Sequence, residues 1–388
     1  MLSGPLWERC QAIVQDIDIG STHQPESTLN IAQWTSHSVL DLSGLAVFGQ
    51  EPGWLARYPD LPASLERRVA TGHIRKIVLA IFPQPIRSLL LSSLFRVQEL
   101  ADLRRIQQVV RDLACIERQK IIKTNNNNKQ SQNTECEDPP PPPPLNIISA
   151  MLQSADSSLS EEEVIGHILI FLVGASETTS ASFQWMIIEL CKHPNVQTRL
   201  REEVQSHWPS LSLSLSSANT TPTKPPPLFS AIKSLPYLRA VVDEVLRLHP
   251  AVVLTEHEAT QQTTISGTLI PKGTLLLSPP LATNLNPRLW GDDAAVFNPG
   301  RFLLDNMNHG ALGDESGRLR CANMTFSHGP RSCPGQSVAR LMLACLTAGF
   351  VHSWEVSLRD PGQSYVPAEA VYARPMPDLM VTLKKVLE

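Results

Sequence analysis

Apolar positions along most of this chain recur with helical spacing, and only past Pro250 does the pattern shorten to that of strands. Residues 5–50 read as two or more helices, with Leu40, Leu42, Leu45 and Val47 leading into Phe48-Gly49. An apolar run over 74–95 is broken by Lys76, Pro83, Pro85 and Arg87, which excludes a spanning helix and predicts a core helix pair. Residues 100–120 predict a polar amphipathic helix, and 160–192 a long one. Ser160 and Glu163 form a capping box at its start, and its length corresponds to roughly 45 Å. Its apolar centre, 168–173 behind His167, is too short for a bilayer. Leu235-Pro236-Tyr237 opens a further helix, and 336–350 predicts another. Residues 263–278 alternate and turn at Gly267 and Pro271-Lys272-Gly273, as short hairpins do, and the chain from Trp354 also reads as strands. The class is mainly α with small β-sheets, and the length allows two or three domains or one large domain of mixed structure.

Two stretches depart from this pattern. Residues 124–144 carry Asn125–Asn128 and six prolines, Pro139–Pro144, while 209–227 are rich in Ser, Leu, Thr and Pro. Neither composition can bury a core, so both are expected to be solvated surface insertions. The 388 residues are 42% hydrophobic and 18% charged, enough for a large core. A net charge of −4 with no basic block speaks against nucleic-acid binding. Seven cysteines, at 10, 115, 136, 191, 321, 333 and 345, show no paired metal spacing, and their odd, scattered distribution fits a reducing compartment. The first ten residues carry neither a signal peptide's apolar core nor a spanning segment. Arg68, Arg75 and Lys76 flanking the apolar run leave a shallow peripheral membrane contact as a second reading of that stretch.

The chemistry concentrates in Phe326-Ser327-His328-Gly329-Pro330-Arg331-Ser332-Cys333-Pro334-Gly335, which sets one cysteine just before a predicted helix. Unpaired N–H groups and the positive end of a helix dipole favour thiolate over thiol there. Gly329 and Gly335 let the backbone approach whatever lies over the sulfur, and Arg331 can reach an anionic group at the edge of a planar ligand. A thiolate held this way suits haem iron. A buried free cysteine in a Gly/Pro turn is the commoner reading of a lone cysteine, and the F-x-x-G-x-R-x-C-x-G spacing with a helix behind it disfavours that reading here.

Two further patterns are weaker alone. Gly174-Ala175-Ser176-Glu177-Thr178-Thr179 thins one face of the long helix, where a threonine hydroxyl can back-bond and open it beside an acid. Taken alone, this segment reads better as an ordinary packing patch with a solvent-facing glutamate. Glu244 and Arg247, at i and i+3, can pair on one helix face, as surface residues often do.

Taken in order, these motifs resemble the cytochrome P450 family, in its fungal type, over residues 30–388. The resemblance implies a single domain over residues 1–388 with a P450 fold that is N-terminally truncated, since residues 34–49 are similar to a helix normally well inside it. It implies heme b bound by Cys333, with Phe326, Gly329, Arg331 and Gly335 around it and His257 where fungal members carry an arginine for a propionate. Glu177 and Thr178 would supply protons during oxygen activation, and Glu244, Arg247 and Arg301 would form a structural triad. Phe171, Leu172, Ala175, residues 252–255 and residues 374–377 would line an apolar substrate pocket. The implied activity is a monooxygenase inserting one atom of O2 into a small lipophilic substrate, with electrons from NADPH–cytochrome P450 reductase, in secondary-metabolite biosynthesis. The implied location is the endoplasmic reticulum membrane, or otherwise the cytoplasm, since this sequence carries no transmembrane anchor. Alternatives are a decayed non-catalytic paralogue, or a haem-thiolate isomerase or dehydratase that needs no reductase. The sequence departs from the family pattern at Ala175 for glycine, Gly300 for glutamate and His257 for arginine, and it lacks a W-x-x-x-R.

Overall fold

The computed structural model describes residues 3–17, 26–67, 96–131, 146–153, 159–216, 232, 234–303, 322–368 and 372–386. The predicted helix pair over 74–95 and the six prolines lie outside them. In chain order the helices used below are α1 (Ser3–Gln15), α2 (Ile31–Phe48), α3 (Arg96–Ser131), α4 (Ile147–Gln153), α5 (Glu161–Lys192), α6 (Pro194–Ser216), α7 (Pro236–Leu248), α8 (Pro280–Asn284), α9 (Pro287–Trp290) and α10 (Gln336–Ser353). The strands are β1 (Glu26–Asn30), β2 (Thr255–Glu258), β3 (Thr263–Ile265), β4 (Thr268–Ile270), β5 (Leu275–Ser278), β6 (Trp354–Leu358), β7 (Val366–Pro367), β8 (Pro375–Met376) and β9 (Met380–Lys385). Two compact units result: Met1–Arg9 with Ser36–Glu177, and Cys10–Thr35 with Thr178–Glu388.

The first unit is helical. Leu40 and Phe48 of α2, Ile106, Val110 and Leu113 of α3, Ile148 of α4, and Val164, Ile168 and Leu172 of α5 share one core with Trp54 and Leu65. Gly44 is needed for that core, because a Cβ there would lie 1.7 Å from Trp54 Nε1. The Trp54 indole N–H then donates to the Asp41 carbonyl at 3.1 Å. The predicted capping box forms: Ser160 N donates to Glu163 Oε2 (2.7 Å) and Glu163 N to Ser160 Oγ (3.3 Å). Hydrogen bonds from the Ser160 backbone and hydroxyl hold the Glu163 carboxyl below its usual range.

Both expected insertions begin differently from the sequence reading. Helix α3 continues through Asn125–Asn128 to Ser131, and α6 runs to Ser216. Once a helix is nucleated, each added residue need only overcome its own propensity penalty, which is below about 0.7 kcal/mol for asparagine or serine.

The second unit holds the sheets. Strand β9 is central in a three-stranded antiparallel sheet, order β1-β9-β6, in register Glu26↔Lys384 and Trp354↔Lys385. Trp354, Val356, Val381 and Leu383 point inward at alternate positions. Strand β1 has no sequence signal of its own; its partner lies some 350 residues away. The β3–β4 hairpin turns at Ser266-Gly267, both with positive φ, at the predicted position. Helix α10 packs on β6 and on α7, and in the second half of α5 residues 181–190 are all buried. Trp34, Phe183 and Phe350 meet there with ring centroids 5.8–5.9 Å apart. Among the described residues α5 is the one helix long and apolar enough to cross a membrane, but protein covers its second half.

Candidate functional site

The cysteine loop folds by its own backbone. Ser327 and Gly329 take φ of 58° and 81°, reversing the chain between Met324 and Cys333. Ser327 N donates to Met324 O (3.0 Å), Ser332 N to Gly329 O (3.0 Å) and Cys333 N to Phe326 O (2.9 Å). Gly335 is the N-cap of α10, with φ of −86°. The two glycines therefore differ from the sequence expectation that both serve backbone freedom. Gly329 requires its left-handed conformation, whereas Gly335 has ordinary dihedrals and a Cβ there would sit 3.8 Å from Cys333 Sγ, in normal contact.

Cys333 is exposed, carries no disulfide and lines a cleft of about 200 Å³ within the second unit. Thr178, Thr179 and Ser182 of α5 line the same cleft, with Leu246 of α7, Ala251, Val252, Thr255, Phe326, Arg331, and Ala339 and Leu343 of α10. The wall is mostly apolar, with the Cys333 thiol and the hydroxyls of Thr178, Thr179 and Ser182 on α5 and of Thr255, Thr325 and Ser327 elsewhere. The Ser182 hydroxyl donates to the Thr178 carbonyl at 3.0 Å, a back-bond one turn along α5. None of the other described cysteines lines the cleft: Cys10 and Cys345 are buried, Cys115 faces solvent on α3, and burial pushes the Cys191 thiol up to about 12.

Not every expected residue arrives there. Val252 and Thr255 do, but Leu172 is fully buried in the core of the first unit, with Phe171 packed against that core. Their helical phase points them into the α2–α3–α4 packing, and this corrects the expectation that both line a pocket. Residues 374–377 do not line the cleft either; Pro375–Met376 pair with Val366–Pro367 as β8 and β7. His257 is exposed on β2, paired with Leu276 of β5 and outside the cleft lining. Glu177 is half-buried and also outside it.

Beside the cleft lies a buried charge network. Arg247 and Glu244 are both 0% exposed, joined by Nε–Oε2 (2.7 Å) and Nη2–Oε1 (2.8 Å) bonds. Arg247 Nη1 also donates to the carbonyls of Asn284 (2.7 Å) and Ala294 (2.6 Å), and Asn298 N donates to Glu244 Oε1 (2.9 Å). Arg301 Nε reaches Glu244 Oε1 at 3.1 Å. Burial opposes the Arg301 charge, but Glu244 and Asp293 outweigh it and raise its pKa. Asp293 Oδ2 accepts from Arg301 Nη2 at 2.9 Å, so a carboxylate eight residues upstream stands beside Arg301 where the family motif would place one at Gly300.

Sequence reasoning missed two members of this region. Asn284, fully buried, accepts from Met324 N (2.8 Å) and donates to Arg247 O (3.0 Å) and Thr325 Oγ1 (2.9 Å), tying the start of the cysteine loop to α7. No spacing rule announces it. Ser182 could have been found, because it lies four residues beyond Thr178 on one helix face.

A family model described as Cytochrome P450 matches residues 8–379. The chain is 34% identical over 368 residues to the cytochrome P450 monooxygenase sphH of Aspergillus fumigatus, covering 92% of this chain and 63% of the relative. It is 31% identical over 365 residues to the cytochrome P450 monooxygenase ALT8 of Alternaria alternata, covering 85% of this chain and 57% of the relative. It thus spans about three fifths of the length of these relatives. The crystal structure of a cytochrome P450 shares the fold, with a TM-score of 0.69 at 24% identity over 99% of this chain and 75% of that one.

Proposed function

The chain belongs to the cytochrome P450 family, and from that premise we propose that it is a haem-thiolate monooxygenase acting on a small lipophilic substrate. The single observation that carries the reading is that Cys333 and Thr178, from a loop and a helix far apart in sequence, line one cleft. The residues fit heme b: an unbridged thiol opens into a largely apolar space, with hydroxyls on another wall and a guanidinium among the lining groups. When bound, haem would supply the redox chemistry that activates O2.

The protein's own residues then have separable tasks. Cys333 Sγ would hold the haem iron, presented by the bond from its N–H to Phe326 O. Arg331, exposed at the cleft, would pair with a carboxylate of the macrocycle. Leu246, Ala251, Val252 and Leu343 keep water from the reacting centre and favour an apolar substrate. The Thr178 hydroxyl holds and passes a proton in the cleft, with Glu177 beside it in sequence as the titratable source. Glu244, Arg247 and Arg301 hold the chain around α7 and are structural. Electrons come from NADPH–cytochrome P450 reductase, and the substrate belongs to fungal secondary-metabolite biosynthesis, in keeping with the fungal relatives.

A carbon monoxide difference spectrum of the reduced protein tests this reading. A strongly red-shifted Soret band is expected for the native chain and no such band for Cys333→Ala. A band that survives in the variant removes Cys333 as ligand, and no haem in the native protein favours the non-catalytic alternative. Reductase-dependent NADPH consumption with substrate then separates oxygen insertion from rearrangement.

A further inference from the structure

Arg340, in the second turn of α10, takes no part in the reading above. It is ion-paired through Nη1 with Asp243 on α7, and its guanidinium carbon lies 5.2 Å from the centroid of the Phe326 ring. Both charged groups are largely withdrawn from water, with side-chain exposures of 31% for Arg340 and 20% for Asp243. Arg340 Nε is buried and has no hydrogen-bond partner among the described residues. Burial, and then the charge of Arg239, lower its pKa, so the setting works against the charged form. What favours that form is a carboxylate and the electron-rich face of a ring.

Arg340 also borders a second cavity of about 470 Å³, shared with Arg239, Asp243 and Ser337. Among the described residues, the Asp243 ion pair and the Phe326 ring are the interactions that orient its guanidinium. One of them, Phe326, is the residue whose carbonyl accepts the Cys333 N–H at 2.9 Å, and both Phe326 and Cys333 line the cleft.

We propose that Arg340 is the positioning residue of the cysteine loop: anchored to Asp243 on α7, its guanidinium clamps the Phe326 ring and so holds the backbone that presents Cys333. The assignment rests on the haem reading only in naming Cys333 as the ligand; the clamp itself is a property of the protein.

Amide hydrogen exchange read by mass spectrometry on the full chain tests the clamp directly. Arg340→Met keeps the length and loses the charge, and should speed exchange over 325–335 roughly three- to tenfold, the range expected for a partly desolvated cation–π contact. Arg340→Lys, which can still reach the carboxylate and the ring, should restore most of the protection. Asp243→Asn, which frees the anchor without touching α10, should give a smaller acceleration in the same segment. Unchanged exchange there in Arg340→Met overturns the proposal. Equal acceleration in β1 and β9 also overturns it, because Arg340 would then be a general stabiliser. The carbon monoxide spectrum of the same variants is the second readout, with part of the red-shifted band expected to be lost in Arg340→Met and regained in Arg340→Lys. Faster loop exchange with no haem spectrum in any variant, the native chain included, leaves the clamp standing and ends the haem reading. A native haem spectrum with an unmoved loop does the reverse.

Discussion

The Glu244–Arg247 network and the cysteine loop lie in the same unit, yet one is closed on itself and the other faces outward. Arg247 is fully buried and spends its donors on Glu244 and on backbone carbonyls from two other segments. Cys333 is exposed, and the bonds around it serve the loop's shape and leave the sulfur unengaged. A buried charge pair offsets its desolvation only when its geometry and remaining donors are satisfied, so the network has little tolerance for change. The loop has no such constraint at its centre. Stability resides in the first region, and chemistry is left open at the second.

The contrast is easiest to break at Arg247. Arg247→Ala leaves Glu244 buried with only Arg301 and the Asn298 N–H and strands the carbonyls of Asn284 and Ala294, and should cost about 3–5 kcal/mol, measured by urea unfolding. Gly329→Ala comes next: a Cβ there meets nothing within 4 Å, so the penalty is the positive φ alone, about 1–2 kcal/mol, read in the same titration. Asp293→Asn should matter less, and near neutral pH, the difference from the native chain closing in acid, as urea unfolding across pH would show. Burial opposes the Asp293 charge, yet hydrogen bonds from Arg301 and Asn298 hold its pKa below 3.8. Its contribution is thus present above that value and lost as pH falls through the lower, folded one, so the variant should lack this part of the acid-induced loss of stability. Cys333→Ala should be smallest, within about 0.5 kcal/mol of the native chain, although it is expected to remove the red-shifted band. A large loss of stability there would show that the sulfur packs as a structural group.

How much of this was legible depends on how local each interaction is. The capping box, the Ser266-Gly267 turn and the Glu244–Arg247 spacing are contacts within a few residues, and their partners stand in the sequence side by side. Arg301 came from the resemblance, and it does reach Glu244. What the sequence hid is non-local. Asn284 bridges α7 to residues 324–325 across some forty positions, and β1 pairs with a strand near residue 380. Helical phase was the other failure: Leu172 and Thr178 share one helix, yet periodicity alone did not say which of its faces the cleft would take. The asparagine tract misled because composition was read without the helix already running into it.

The order of strands β1-β9-β6 has a consequence for biosynthesis. The middle strand is the last of the three to be made, so the two outer ones wait without their shared neighbour until residue 385 has cleared the ribosome. That sheet is therefore closed only after translation of nearly the whole described chain, and a premature stop before residue 380 would leave two unpaired edges prone to joining other chains.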